Sequence, residues 1–208
     1  MLRGLSTTLF ISIFSLILGL AIGLLLAFTR VYGNKPLQVL VDGYEKVFRG
    51  IPELVLMFFF FFGIGASIPF PFKNTLFTAT FVLGLRSAAN QSQIFRGAIR
   101  GIGEEQMVAA RSLGLSKLKS IIFVMIPQVF VFSTPGLGSE YALLVKDSSY
   151  AYLIGAVEIM QSTDQVRKAT LNNIVPYFLS AALYILLTFP IATWLDTWGS
   201  RKKRQLGL

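Results

Sequence analysis

Residues 4–29 read GLSTTLFISIFSLILGLAIGLLLAFT and contain no charged side chain. At about 1.5 Å per residue, a helix of this length exceeds the roughly 30 Å of a bilayer core. Arg3 before the run is a feature of signal peptides, but the run is longer than a signal-peptide core and no small-x-small cleavage site ends it. We therefore predict a membrane-spanning helix over about residues 5–29, and this stretch decides the fold class.

Four more apolar stretches predict four further spans. They cover approximately residues 54–72, 74–96, 120–145 and 174–196. Ser148–Val157 is uncharged but too short to cross a bilayer, so it is interpreted as a re-entrant or surface helix. The sequence thus predicts an all-α membrane protein with about five transmembrane helices, in a single domain over residues 1–208.

Composition supports this class and argues against several functions. Hydrophobic residues make up 54% of the chain and charged residues 14%. The net charge of +9 does not indicate nucleic-acid binding, because the basic residues flank long uncharged runs. The chain has no cysteine and no histidine, so we expect no metal site and no catalytic constellation. It also lacks the G-x-x-x-x-G-K-[ST] phosphate loop, so energy must come from a partner or from a gradient.

The distribution of lysine and arginine predicts the orientation. Five spans put the termini on opposite sides, and cytoplasmic flanks carry the excess of basic residues. Five basic residues lie on the side of the N-terminus: Arg3, Lys73, Lys146, Arg167 and Lys168. Thirteen lie on the side of the C-terminus: Arg30, Lys35, Lys46, Arg49, Arg96, Arg100, Arg111, Lys117, Lys119, Arg201, Lys202, Lys203 and Arg204. The N-terminus is therefore predicted outside and the C-terminus in the cytoplasm.

Charged residues inside spans are candidate substrate ligands, because charges at that depth are costly and usually functional. Arg86, midway along the third span, can hold an anionic group or pair with a carboxylate elsewhere in the bundle. Glu140 and Lys146 follow Pro135–Gly138, a stretch predicted to kink or unwind its helix, as at transporter substrate sites. A zwitterion needs one anion and one cation, and this pair supplies both. Alternatively, the two residues flank the outer interface, with the lysine reaching toward headgroups.

Two further patterns concern helix contacts. The connection over residues 101–119 is predicted as helix, break, helix, because Gly114 can end the first helix and Ser116 can cap the second. The connection forms either a protrusion that a partner binds or a solvated loop.

Gly19 and Gly23 form a G-x-x-x-G pair, which permits close packing in a dimer or within one subunit.

Several motifs resemble the permease subunits of polar amino-acid ABC importers, the histidine/glutamine/arginine group. The arginine-glycine-x-proline block at Arg49–Pro52 opens the second span. Gln106–Gly114, followed by Ile126-Pro127-Gln128, is similar to the coupling loop of that family. Gly138-Ser139-Glu140-Tyr141 and Leu144–Ser149 match its Gly-x-Glu-aromatic and Leu-x-Lys-Asp-x-Ser patterns.

This resemblance implies the type I ABC importer permease fold, alternating access and a place in the inner (cytoplasmic) membrane. The implied partners are ABC ATPase subunits that bind ATP and magnesium, a second permease copy or paralogue, an extracytoplasmic substrate-binding protein, a polar amino acid and membrane lipid; nucleic acid is not among them. The chain itself is expected to be no enzyme and to carry no cofactor. The resemblance also implies that six residues of the coupling loop contact the ATPase: Glu105, Gln106, Ala109, Ala110, Arg111 and Gly114.

Three positions depart from the family pattern. Val108 replaces the signature glutamate of the coupling loop, and Asn90 and Gln93 stand where the family commonly has an aromatic residue and a glutamate. A secondary transporter driven by an ion gradient is the alternative function, although more spans and an internal repeat would be usual for one. The sequence leaves open which amino acid is carried, whether this subunit or its partner holds it, and whether the dimer is of identical chains.

Overall fold

The computed structural model describes residues 2–205, and within that range every regular element is helical. The nine helical segments are α1 (Leu2–Tyr32), α2 (Lys35–Gly50), α3 (Glu53–Ser67), α4 (Pro69–Phe72), α5 (Thr75–Ile102), α6 (Glu105–Ser112), α7 (Lys117–Ile154), α8 (Ile159–Thr170) and α9 (Val175–Gln205). The predicted all-α class is confirmed.

Three of these helices are long and apolar enough to cross a membrane: α1 from Arg3, α7 and α9. The bent pair α2 and α3 passes the same test if it counts as one span. α5 is 28 residues long but more polar, since Arg86, Gln91 and Arg96 lie along it. α1, α5, α7 and α9 run through the ranges expected for spans one, three, four and five.

The second expected span, 54–72, begins where the structure has a helix start, but it is interrupted near its C-terminal end and follows a sharp bend. The helix α3 ends at Ser67, and α2 precedes it across a bend of 99°. Ile51 and Ile68 are both non-helical, with ψ angles of 130° and 82°. Each stands one residue before a proline, and a residue before proline is disfavoured in the helical region. A helix of 15 residues covers only about 22 Å, so α3 alone is too short for a bilayer core.

The glycine pair of α1 packs inside the subunit, against α5. A β-carbon added at Gly19 would lie 2.5 Å from Gln91 Nε2, and one at Gly23 would lie 2.9 Å from the Ala88 carbonyl oxygen. Ser15 Oγ donates to the Thr80 carbonyl at 3.0 Å along the same contact. Of the two interpretations of this motif, packing within one subunit is confirmed.

The predicted unwinding at Pro135–Gly138 is wrong, because α7 remains helical through this stretch from Ile126 to Asp147. Proline lacks the N–H that would bond the carbonyl four residues earlier, that of Val131. Thr134 Oγ1 donates to this carbonyl at 2.9 Å and so replaces the missing bond. Gly138 then lets α9 approach closely, since a β-carbon there would lie 3.2 Å from the Ala192 carbonyl oxygen.

The segment after residue 147 continues α7 as a 3₁₀ helix, Ser148–Ile154, and does not form a separate surface helix. Gly155 ends it with a left-handed φ of 91°. Glu158 then caps α8, accepting hydrogen bonds from the backbone N–H groups of Met160 and Gln161 at 2.8 Å each.

The connection between α5 and α7 has the predicted helix-break-helix form. α6 ends at Ser112, and Gly114 adopts a φ of 84°, a left-handed value that glycine accommodates without strain. Ser116 caps the start of α7, where its side chain accepts a bond from the Lys119 N–H at 3.4 Å. Glycine and serine therefore act here through local backbone chemistry, as the sequence indicated.

Candidate functional site

A cleft of about 440 Å³ lies between the C-terminal end of α2 and the middles of α5 and α7. The side chains that line it are charged, amide, hydroxyl and apolar: Arg49, Arg86, Asn90, Gln93, Ile94, Gly136, Ser139, Glu140 and Leu143. Along both α5 and α7 the lining residues recur every three or four positions, which places them on one face of each helix. The cleft is therefore formed by one face of α5 and one face of α7, and a third helix, α2, contributes Arg49.

Glu140 is the buried charge of this cleft, with only 2% of its surface exposed. Asn90 Nδ2 donates to Glu140 Oε2 at 3.2 Å, and Arg49 Nε donates to Asn90 Oδ1 at 3.2 Å. Within residues 2–205, neither Glu140 nor Arg49 has an opposite charge within 4.0 Å. An anion and a cation thus face one another across a single neutral amide.

Arg86 is held between two carboxylates. Its Nη1 lies 2.8 Å from Asp147 Oδ2, and its Nη2 pairs with Glu53. These residues belong to α5, α7 and α3, so the triad ties three helices together beside the cleft. Of the two interpretations left open for Arg86, pairing with carboxylates of the bundle is confirmed, and the side chain also lines the cleft.

Lys146 does not join Glu140, which corrects the predicted pair. The residue is exposed and is not part of the cleft lining. Six residues separate the two, and at about 100° per residue they point roughly 120° apart on α7. The helix from Glu140 to Lys146 keeps them apart. Unwinding at Pro135–Gly138 would not have changed this, because that stretch precedes both residues.

Arg49 is the cleft cation that the sequence interpretation missed. The sequence places it in the cytoplasmic connection after the first span, because it lies between two apolar runs. In the structure, α2 continues to Gly50 and carries Arg49 alongside Asn90. The arginine-glycine-x-proline block was the available signal, since Pro52 forces the helix to end just after this arginine.

An ion pair that the sequence did not indicate holds α2 against α5. Glu45 is 4% exposed and accepts bonds from Ser92 Oγ at 2.7 Å and from Arg96 Nη2 at 2.8 Å. Tyr44, the preceding residue, donates to the Leu85 carbonyl at 2.7 Å. These bonds fix the position of α2 and, through it, of Arg49.

The helix α6 projects a mixed surface at one end of the molecule. Val108 and Leu113 are 63% and 85% exposed. The six residues expected to contact an ATPase are not equally accessible: Glu105, Ala109, Arg111 and Gly114 are exposed, Gln106 is half-buried, and Ala110 is buried. Only the first four are therefore exposed on the surface of this subunit.

No group of three or more histidine, cysteine, aspartate or glutamate side chains that could hold a metal ion is present in the described part of the chain. The cleft offers instead charges and amides suited to a polar organic molecule.

Comparison with known proteins gives a consistent result. Residues 19–205 match the family described as binding-protein-dependent transport system inner membrane component. The arginine transport system permease protein ArtQ of Bacillus subtilis is 31% identical over 186 residues, covering 89% of this chain and 84% of that protein. The octopine transport system permease protein OccQ of Rhizobium radiobacter is 29% identical over 199 residues, covering 91% and 84%. A crystal structure of an amino acid ABC transporter with histidines superposes with a TM-score of 0.82 at 26% identity, covering 96% of this chain and 92% of that one.

Proposed function

The chain belongs to the family of binding-protein-dependent transport system inner membrane components, and we propose that it passes a polar amino acid through the cleft around Glu140. It is the membrane-spanning subunit of an ATP-driven amino-acid importer and is not itself an enzyme; ATP hydrolysis lies with separate subunits. The comparisons favour this function over a secondary transporter driven by an ion gradient. Relatives named for arginine and octopine transport support a polar substrate.

The observation that carries the substrate proposal is the separation of Glu140 from Arg49 by Asn90. A free amino acid has an ammonium and a carboxylate, and both need an opposite charge when they leave bulk water. In our proposal the ammonium binds Glu140, the carboxylate binds Arg49, and the Asn90 amide moves aside. The substrate then neutralises a buried anion that, within residues 2–205, has no opposite charge within 4.0 Å.

The remaining cleft residues have supporting roles in this proposal. Arg86 keeps its two carboxylates and positions α3, α5 and α7 around the cleft, and Gln93 and Ser139 offer hydrogen-bonding groups to the substrate side chain. Lys146 is left out, because it is exposed on another face of α7.

Substrate-stimulated ATPase activity in proteoliposomes tests the assignment of this cleft. We expect Glu140→Gln to abolish stimulation of ATPase activity by the substrate amino acid in the complex reconstituted with its binding protein. Lys146→Gln is the matched control, a neutralising change on the same helix outside the cleft, and it should retain stimulation. Each amino acid is supplied in turn, which also identifies the substrate. Equal loss in both variants, or full activity of Glu140→Gln, would refute the cleft assignment.

We infer that α6 and the following turn couple the subunit to its ATPase, which would hold ATP and magnesium. The exposed surface of Glu105, Ala109 and Arg111, with the apolar side chains of Val108 and Leu113, supports a contact that is more hydrophobic than the family pattern. Gln106 and Ala110 then lie on the inner face of α6 and hold this helix in position. Gly114 permits the turn that follows it.

Copurification tests the coupling surface. Ala109→Arg places a bulky charge on the exposed face of α6 and should reduce the amount of co-expressed ATPase subunit that copurifies with the tagged chain by tenfold or more. Lys119→Gln, at the exposed start of α7, should leave it unchanged. Undiminished recovery with Ala109→Arg would exclude α6 from the contact.

A second permease copy or paralogue is proposed to cover the open side of the cleft. Arg49 and Leu143 line the cleft and are exposed to the outside of the subunit, and Gly43 and Gly50 of α2 have open space where a β-carbon would stand. A second helix packed on this face would seal the substrate from lipid. The extracytoplasmic binding protein would deliver the amino acid at the opposite end from α6.

A further inference from the structure

A second groove, separate from the Glu140 cleft, lies where α1 ends and α7 begins. It has a volume of about 420 Å³. Leu25, Phe28 and Ile122 are among its apolar lining, and Lys117 is its single charged lining residue. Leu25 is 69% exposed and Ile122 is 44% exposed, so the groove opens onto the surroundings of the helices, which in a membrane are lipid chains.

The polar lining residues are confined to one end of the groove, where Leu37 and Leu118 lie as well. Thr29, Tyr32 and Lys117 lie at the ends of their helices, whereas Leu24 on α1 and Ile126 on α7 lie farther in. The nine helical rises from Lys117 to Ile126 cover about 14 Å, close to half of a bilayer core of roughly 30 Å. The groove therefore has a polar mouth and an apolar shaft of about one leaflet in depth.

Lys117 is fixed at this mouth and retains unused donors. Its Nζ donates to the Tyr32 carbonyl at 2.8 Å and lies 5.6 Å from the centre of the Tyr32 ring. An ammonium group has three N–H donors, so two remain for an incoming acceptor. The bond to Tyr32 satisfies a carbonyl at the end of α1 and at the same time holds the cation above the groove.

We propose that this groove binds an anionic phospholipid. The phosphate and the net negative charge lie at Lys117, and an acyl chain follows Leu25 and Ile122 into the membrane. The apolar shaft would accept the chain of any phospholipid, so the selectivity for an anionic headgroup comes from the lysine. A basic residue near a membrane surface contributes on the order of fivefold to the binding of anionic lipid.

Native mass spectrometry of the full-length chain in detergent tests this, with equimolar phosphatidylglycerol and phosphatidylcholine added. The wild-type chain should retain phosphatidylglycerol over phosphatidylcholine, and Lys117→Gln should lower that ratio about fivefold. Lys117→Arg keeps the charge and should keep the ratio. Lys119→Gln is the matched control, because this exposed lysine is two residues away and does not line the groove.

Leu25→Trp gives a second test that leaves the charge in place, since a larger side chain fills the shaft. It should reduce retention of both lipids. Equal retention of the two lipids by the wild type, an equal loss of selectivity in Lys119→Gln and Lys117→Gln, or unchanged retention in Leu25→Trp would each overturn the proposal. Thermal unfolding of every variant identifies a loss of fold. If Lys117→Gln does not fold, Lys117→Arg, which keeps the charge and should keep the lipid ratio, and Leu25→Trp still test the proposal.

Discussion

Thr134 is the residue that allows Pro135 to remain inside a continuous helix. Its hydroxyl donates to the Val131 carbonyl at 2.9 Å, the group that the proline leaves without an N–H partner. The side chain is 3% exposed, so no bulk water can take its place. The hydroxyl thus satisfies a buried carbonyl in a helix that continues past the proline.

Removal of the Thr134 hydroxyl should lower the free energy of unfolding mainly when Pro135 is present. We expect Thr134→Val to lower the free energy of unfolding by about 1 kcal/mol, the cost of an unsatisfied buried carbonyl. In a Pro135→Ala background the restored N–H bonds Val131, and the same change should cost much less. Unfolding of the four chains in detergent measures the coupling; an equal cost in both backgrounds would contradict this account.

Glu158 is a buried acid outside the spans, and burial raises the pKa of its carboxyl above the ordinary value. Its hydrogen bonds from Met160, Gln161 and Tyr184 oppose that rise without cancelling it. A raised pKa in the folded state means that the folded chain binds the proton more tightly than the unfolded chain does. The stabilisation that comes from this tighter proton binding is fully present below the unfolded pKa of about 4.3. It is lost as pH rises through the pKa of Glu158 in the folded chain.

Glu158→Gln should remove this part of the pH dependence. The wild-type free energy of unfolding should fall relative to that of the variant as pH rises from about 4.3. Thermal unfolding of both chains across that range measures the difference. A constant difference between the two chains would show that Glu158 has an unshifted pKa.

At the scale of elements, glycine decides how closely helices approach. Gly23 of α1 faces the backbone of α5, where an added β-carbon would lie 2.9 Å from the Ala88 carbonyl oxygen. Gly97 of α5 is also inside a helix, but nothing lies within 4 Å of a β-carbon added there. The same residue type therefore has a packing role at one position and none within this subunit at the other.

These two glycines give a matched pair of substitutions. We expect Gly23→Ala to destabilise the chain, since backbone atoms must separate, by about 1–3 kcal/mol as for other overpacked sites. Gly97→Ala should be neutral or stabilise by up to about 1 kcal/mol, because alanine favours the helix. Measured on the single chain in detergent, the melting temperature should fall for Gly23→Ala and should stay the same or rise for Gly97→Ala. A loss of similar size in both would show that helix propensity, and not the α1–α5 contact, is being measured.

At the scale of the whole molecule, the orientation across the membrane is open to a direct test. The basic residues predict that Lys146 faces outside and Lys119 faces the cytoplasm. Since the chain has no cysteine, Lys146→Cys and Lys119→Cys each introduce a single reactive thiol at an exposed position. A membrane-impermeant maleimide should label the first on intact spheroplasts and the second only after permeabilisation. The reverse pattern would invert the predicted topology.

The sequence alone determined those features that depend on neighbouring residues. The run over residues 4–29 is long and apolar enough to span a bilayer wherever it packs, and Gly114 and Ser116 act through their own backbone and the next turn. The all-α membrane class and the helix-break-helix connection followed from such local chemistry, and the motifs around Arg49, Ala109 and Glu140 indicated the importer family.

Only the tertiary structure decided which charges meet. Arg49 reaches Asn90 because α2 runs to Gly50 and Glu45 anchors it on α5. Lys146 stays apart from Glu140 because α7 is helical from one residue to the other. Each outcome depends on the rotation and the end point of a helix, and both are set by contacts between residues far apart in the chain. A linear pattern can name the charged residues, but their distances arise from the packing of whole helices.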